Sequence, residues 1–343
     1  MIKYKHNITQ MALKNSDLLY KMPKIELHAH LFGSITQDQL LNLLKDRGCI
    51  EQYNEFKQIK DSLNFNTIFD KAFTYLPSVT HNIEDLKIIV RHVLQNFISD
   101  NVIYIELRSS PKRLGGLGYK DYFRCIIEEF KAHSSLITAR FIVSISRTLP
   151  PCQYEGIIDQ IKSVDPDMKY IVGLDFSGDA RMNNFKDYLH IMKEAREAGY
   201  KITLHTPELE TGIAELNTII DFKPERLGHF IFYEEYQLQK VKELEIPIEI
   251  CPTSNYVVRN LNSHHFIDLV NSGIKKMTIC TDDILLFKAS LSEEWLLFMD
   301  KTKLDINQIF DIYYESIEYV FDDSVKPILK KAALDFKEKY LTN

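Results

Sequence analysis

The stretch Lys24-Ile-Glu-Leu-His-Ala-His-Leu-Phe-Gly-Ser34 decides how this chain is read. Lys24 to Leu27 has strand character, and His28 and His30 stand one residue apart where that strand ends. Strand alternation puts both imidazoles on one face, where two of them can grip one metal ion. A His-x-His pair is equally at home as a hydrogen-bonded sheet edge, so its meaning depends on what other strand ends supply.

Working outward, short apolar runs alternate with amphipathic stretches. Strands are expected at Lys24 to Ala29, Val102 to Leu107, Arg140 to Ser146, Tyr170 to Phe176, Lys201 to His205, Arg226 to His229, Ile246 to Cys251 and Met277 to Thr281. Their Ile, Val and Leu content predicts a parallel sheet. Between them, Ile83-Leu86-Ile89-Val90-Val93-Leu94-Phe97 and Tyr188-Leu189-Met192-Ala195 step by three and four residues, as helices that cover strands do. Eight such units predict an α/β fold, a (β/α)₈ TIM barrel whose working residues sit at the C-terminal strand ends. Residues 1–22 read as a polar lead-in and 23–343 as a single domain. Gly48 to Pro77 is expected to form extra helices over the barrel mouth. Ile306 to Leu341 reads as closing helices, with Tyr313, Ile317 and Phe321 in the core.

The 343 residues are 45% hydrophobic, enough for a large core. A net charge of -6 and a pI near 6.0 carry no basic footprint, which argues against a nucleic-acid polymer as partner but not against a small anionic nucleotide. Five scattered cysteines without a C-x-x-C pair indicate neither a disulfide framework nor a cysteine zinc site. No signal-like or membrane-spanning run occurs, so the cytosol is the expected compartment and no membrane partner is expected.

The predicted strand ends carry the chemistry. His205 ends the fifth strand and is followed by Thr206-Pro-Glu208, His229 ends the sixth, and Asp282 and Asp283 follow the eighth. Taken singly, each has a plainer use: a buried histidine, a helix-capping aspartate, a first-turn acid. Taken together they converge on one mouth. His28, His30, His205 and Asp282 form a nitrogen- and oxygen-rich donor set suited to one zinc-like divalent ion, with a position left open for water. Glu208, His229 and Asp283 remain for the proton traffic that hydrolysis needs.

The sequence resembles the adenosine deaminase superfamily. The resemblance rests on Pro23-Lys-Ile-Glu-Leu-His-Ala-His-Leu31, Gly173-Leu-Asp-Phe-Ser-Gly-Asp179, His205-Thr-Pro-Glu208, Arg226-Leu-Gly-His229, Cys251-Pro-Thr-Ser-Asn255 and Cys280-Thr-Asp-Asp283. Tyr104 to Arg113, His264-His-Phe266, Leu291-Ser-Glu293 and Tyr314 to Tyr319 make it most similar to the adenosine deaminase-like, or N6-methyl-AMP deaminase, branch. The resemblance implies one zinc per chain held by the four ligands and a monomer. It implies that Glu208 protonates the purine ring, His229 helps deprotonate the water, and Asp283 hydrogen-bonds water and base. The Gly178 N–H would contact the far ring nitrogen.

It also sets the expected reaction, N6-methyl-AMP to IMP plus methylamine. The alternatives are adenosine to inosine plus ammonia, and a purine-nucleotide-binding protein without catalysis. Gly178, His30, Phe32, Asp283 and Arg108 are the expected substrate contacts, and Arg108, Lys112 and Arg113 are candidates for a 5′-phosphate. The chain departs from its relatives at Phe32, where nucleoside deaminases usually carry aspartate and the methyl-AMP branch asparagine. Phe230 and Ile284-Leu285-Leu286 depart similarly, and all are expected to make the pocket more apolar.

Overall fold

The structure, a computed structural model, describes residues 8–61, 80–259 and 263–342. Its strands are β1 (Lys24–His30), β2 (Val102–Ser109), β3 (Thr138–Ser146), β4 (Ile171–Ser177), β5 (Lys201–His205), β6 (Arg226–Gly228), β7 (Ile248–Ile250) and β8 (Met277–Ile279). They pair in parallel in that order. Just beyond β8 the chain closes back onto β1: Ala29 bridges Asp282, and the Asp282 N–H donates to the His28 carbonyl at 2.9 Å. The eight strands and their covering helices make a (β/α)₈ barrel, as expected. Helix Ile83–Ser99 buries Leu86, Ile89, Val90, Val93, Leu94 and Phe97, the stripe its sequence period picks out.

Barrels of this kind usually fill their interior with branched apolar residues. Here the interior is charged. Glu26, Glu106, Arg108, Asp175, Arg226 and Glu249 are all fully buried. All but Glu26 answer one another as ion pairs, whereas Glu26 accepts neutral donors and burial pushes its pKa up to about 7. Arg226 donates to Glu249 at 2.6 Å and to Glu106 at 2.5 Å, with its guanidinium carbon 3.6 Å from the Phe321 ring centre. The Phe321 N–H donates to Glu106 at 2.7 Å. The barrel thus carries a hydrogen-bonded ion network beneath its mouth.

β6, β7 and β8 stop one or two residues short of their expected C-terminal ends: β6 ends where His229 and Phe230 take positive φ (64° and 52°), and after β7 Cys251 caps the helix that begins at Pro252. In the lead-in, Gln10–Lys21 forms a helix capped by Thr9. The Lys24 ammonium donates to three carbonyls at its end, those of Leu19, Tyr20 and Met22. The tail forms helices Ile306–Ser316 and Lys326–Tyr340, with Tyr313, Ile317 and Phe321 buried. Of the segment expected over the mouth, Ile50–Asp61 is a helix, and residues 62–79 lie outside the described residues. No helix among the described residues is long and apolar enough to cross a membrane.

Candidate active site

A cavity of about 730 Å³ opens at the C-terminal strand ends. Its floor is set by β1, β5 and the residues after β8. The ring-nitrogen donors of His28, His30 and His205 lie within 4.8 Å of one another. Asp282 Oδ1 approaches His28 Nε2 at 3.6 Å and His30 Nε2 at 3.4 Å. These are the four residues expected as ligands.

The rings are aimed from behind. His28 Nδ1–H donates to Glu249 Oε2 at 2.6 Å, and His205 Nδ1–H donates to Asp175 Oδ1 at 2.9 Å. Both carboxyls are held below their usual range: burial works against this, but Arg108 and Arg226 overcome it at Glu249, and His205 and Arg108 at Asp175. Each imidazole therefore presents its Nε2 lone pair to the centre. His28 Nε2 is buried with no hydrogen-bond partner among the described residues. Such an orphaned acceptor is what a metal ligand looks like without its ion. Burial, then the Arg108 charge, keeps His28 neutral well below its ordinary pKa, and a neutral ring can ligate. The donor set fits a divalent ion.

Beside the cage stand the proton-handling groups. Glu208 Oε1 is 3.9 Å from His229 Nε2. His229 Nδ1 is 2.9 Å from Asn255 Oδ1, an arrangement in which Nδ1–H donates and Nε2 keeps its lone pair. Burial raises the pKa of Glu208 and, with Asp282 and Glu208 close by, lifts Asp283 well above the carboxylate range. Asp282 goes the other way: despite burial, His229 and His30 hold it below its usual value, and Ser254 donates to it at 2.7 Å. Neighbouring aspartates in one site are thus pushed in opposite directions, as acid/base work requires. Space for Asp283 comes from Gly33, where an added Cβ would fall 1.5 Å from its Oδ1. Gly178, with φ of 105°, lines the cavity with its backbone exposed to a ligand.

The structure brings His28, His30, His205, Asp282, Glu208, His229, Asp283, Gly178 and Phe32 around one cavity. Arg108, expected at the phosphate, lines the cavity as well, with part of its guanidinium engaged in the ion network beneath. Arg108 lies on an inward position of β2, fully buried, donating to Glu249 at 2.9 Å and to the Leu27 carbonyl at 2.5 Å, with Asp175 at 3.6 Å. Its charge is already matched beneath the floor. Phe230 departs from expectation: it is fully buried, stacks on Tyr233 at 4.7 Å, and does not line the cavity. Leu286 and Phe287 do line it. The sequence reading missed Glu249, Asp175 and Asn255 as supporting groups. Each was visible as a polar residue inside a strand or motif with no other reason to be there.

The adenosine deaminase family model matches residues 23–332. Human N6-methyl-AMP deaminase is 30% identical over 344 residues, covering 95% of this chain and 96% of that relative. The crystal structure of Arabidopsis N6-mAMP deaminase superposes with a TM-score of 0.84 at 30% identity, over 93% of this chain and 99% of its own. An Arabidopsis relative solved in complex with IMP superposes at 0.85 with 30% identity, over 94% and 99% of the two chains.

Proposed function

This chain belongs to the adenosine deaminase family, and we propose that it is a zinc-dependent hydrolase converting N6-methyl-AMP and water to IMP and methylamine. Hydrolytic deamination of a purine follows from the family. The methylated nucleotide is supported by the relatives named above. The observation that carries the reading is the cage of three Nε2 atoms and the Asp282 carboxylate, with two raised-pKa carboxyls beside it.

His28, His30, His205 and Asp282 would hold the zinc ion. When bound, the ion supplies Lewis acidity that brings the pKa of a water toward neutrality. The protein groups do the rest. Glu208, whose pKa burial raises, donates to the ring nitrogen beside the reacting carbon and makes that carbon electrophilic. His229 takes the proton from the attacking water through Nε2, while Asp283 orients the water and the departing amine. The Gly178 N–H holds the far side of the base. Water oxygen bonds to C6 and the C6–N6 bond breaks; one proton of the water, taken up by His229, leaves on the amine, and the other restores Glu208, whose own proton stays on the ring nitrogen of the product.

Side-by-side turnover of N6-methyl-AMP, AMP and adenosine tests the substrate, with metal content measured on the same protein. Highest kcat/KM for N6-methyl-AMP with one zinc per chain is the expected result. A strong preference for adenosine would assign the chain to nucleoside deamination instead. Zinc without turnover of any aminopurine would leave only a binding role.

A further inference from the structure

We propose that Lys112 resting on Phe32 is the subsite for the 5′-phosphate, which makes the site select a nucleoside monophosphate over a nucleoside. The inference rests on the purine-deaminase reading of the cavity and names the residues behind its nucleotide preference. Lys112 Nζ lies 3.6 Å from the centre of the Phe32 ring, and both residues line the cavity. Phe32 is itself buried, so its ring is a fixed platform.

Among the described residues, the Lys112 ammonium has no carboxylate, carbonyl or hydroxyl partner within hydrogen-bonding or ion-pair distance. A half-buried lysine ordinarily finds one, because its charge is costly to withdraw from water. The ring face attracts the ammonium without neutralising it. A carboxylate in the same place would cancel the charge and repel a phosphate. Burial brings the Lys112 pKa down to about 7, so an arriving dianion would stabilise its charged form.

Position agrees. Phe32 follows β1 and Lys112 follows β2, neighbouring strands, whereas Gly178 and Glu208 follow β4 and β5 across the mouth. A nucleotide whose base is held on the second arc extends its sugar and phosphate toward the first. Of the other basic candidates, Arg108 lines the cavity but is already paired with Glu249 at 2.9 Å, and the exposed Arg113 is not among the residues that line it.

The test compares kcat/KM for N6-methyl-AMP and N6-methyladenosine in wild type, Lys112→Met, Lys112→Arg and Phe32→Leu. Wild type should prefer the nucleotide. Lys112→Met should cut that preference about 10- to 100-fold, the worth of a charge-assisted contact, mainly through KM for the nucleotide. Lys112→Arg should restore most of it. Phe32→Leu, which keeps apolar bulk but loses the ring, should cut it about 3- to 10-fold. If wild type prefers the nucleotide and Lys112→Met keeps the full preference, the subsite is wrong and the substrate reading stands. If wild type shows no preference, the nucleotide reading fails and the subsite falls with it. Should Lys112→Met not fold, Lys112→Gln takes its place in the same comparison.

Discussion

At the floor of the cavity, His28, Glu249, Arg108, Asp175 and His205 form one continuous chain of polar contacts, every member buried. At the rim, Phe32, Leu149, Met182 and Phe287 present apolar surface, and Lys112 carries a charge with no acidic neighbour among the described residues. The floor is over-determined: each imidazole is fixed by a carboxylate that is itself fixed by an arginine. The rim is less satisfied: Lys112 meets only a ring face. Under the proposed function, chemistry belongs to the first region and substrate choice to the second, so substitutions in the two should fail in different ways.

The largest failure should come from the proton handler on the floor. Glu208→Gln removes the acid but keeps its shape, and kcat should fall about 10²- to 10⁴-fold with bound metal unchanged. Steady-state kinetics with metal analysis on one preparation checks both halves, and retained turnover would break the assignment. Next comes Gly33→Ala. The added methyl would collide with Asp283, and kcat should drop on the order of 10²-fold as that carboxyl is pushed aside. A variant with normal kcat would show that Asp283 need not sit where it does.

Behind the cage, Glu249→Gln leaves His28 without its charged partner. Metal affinity should weaken about 10- to 100-fold, read by competition with a chelator, and an unchanged affinity would show that His28 needs no aiming. The smallest effect lies outside the cavity lining, at Glu294 on helix Leu291–Thr302. Glu294 is buried, accepts the Thr253 N–H at 3.0 Å, and has its pKa pushed by burial up to about 8. Because the folded pKa is raised, its contribution to stability is fully present below the unfolded value near 4.5 and is lost as pH rises toward 8. Glu294→Gln should therefore raise Tm relative to wild type at pH 8, by about 2 °C or more, with the advantage shrinking toward pH 5. A Tm difference independent of pH would contradict the assignment.

The floor was largely legible in the sequence, and the reason is geometric. His28 and His30 share a face by strand alternation, and parallel strands deliver His205, His229 and Asp282 to the same end of the barrel. What escaped were the partners one layer back. Glu249 and Asp175 look like interruptions in apolar strands until the barrel closes and sets them behind the imidazoles. Arg108 reads from the sequence as a residue of the mouth and does line the cavity, but its pairing with Glu249 likewise shows only once the barrel closes. At the rim, Phe32 was recognisable as a departure, yet its contact with Lys112 depends on two loops meeting, which no local pattern encodes. Phe230 was read toward the pocket, whereas the left-handed turn at His229 and Phe230 buries it against Tyr233.

Hydrolysis of the bond between a purine ring and its exocyclic nitrogen is the activity proposed for this floor. Its most direct test is turnover of N6-methyl-AMP in ¹⁸O-labelled water, with both products measured by mass spectrometry. IMP carrying one labelled oxygen, formed in equal amount with methylamine, is the expected result. Unlabelled IMP, or methylamine released without IMP, would contradict it.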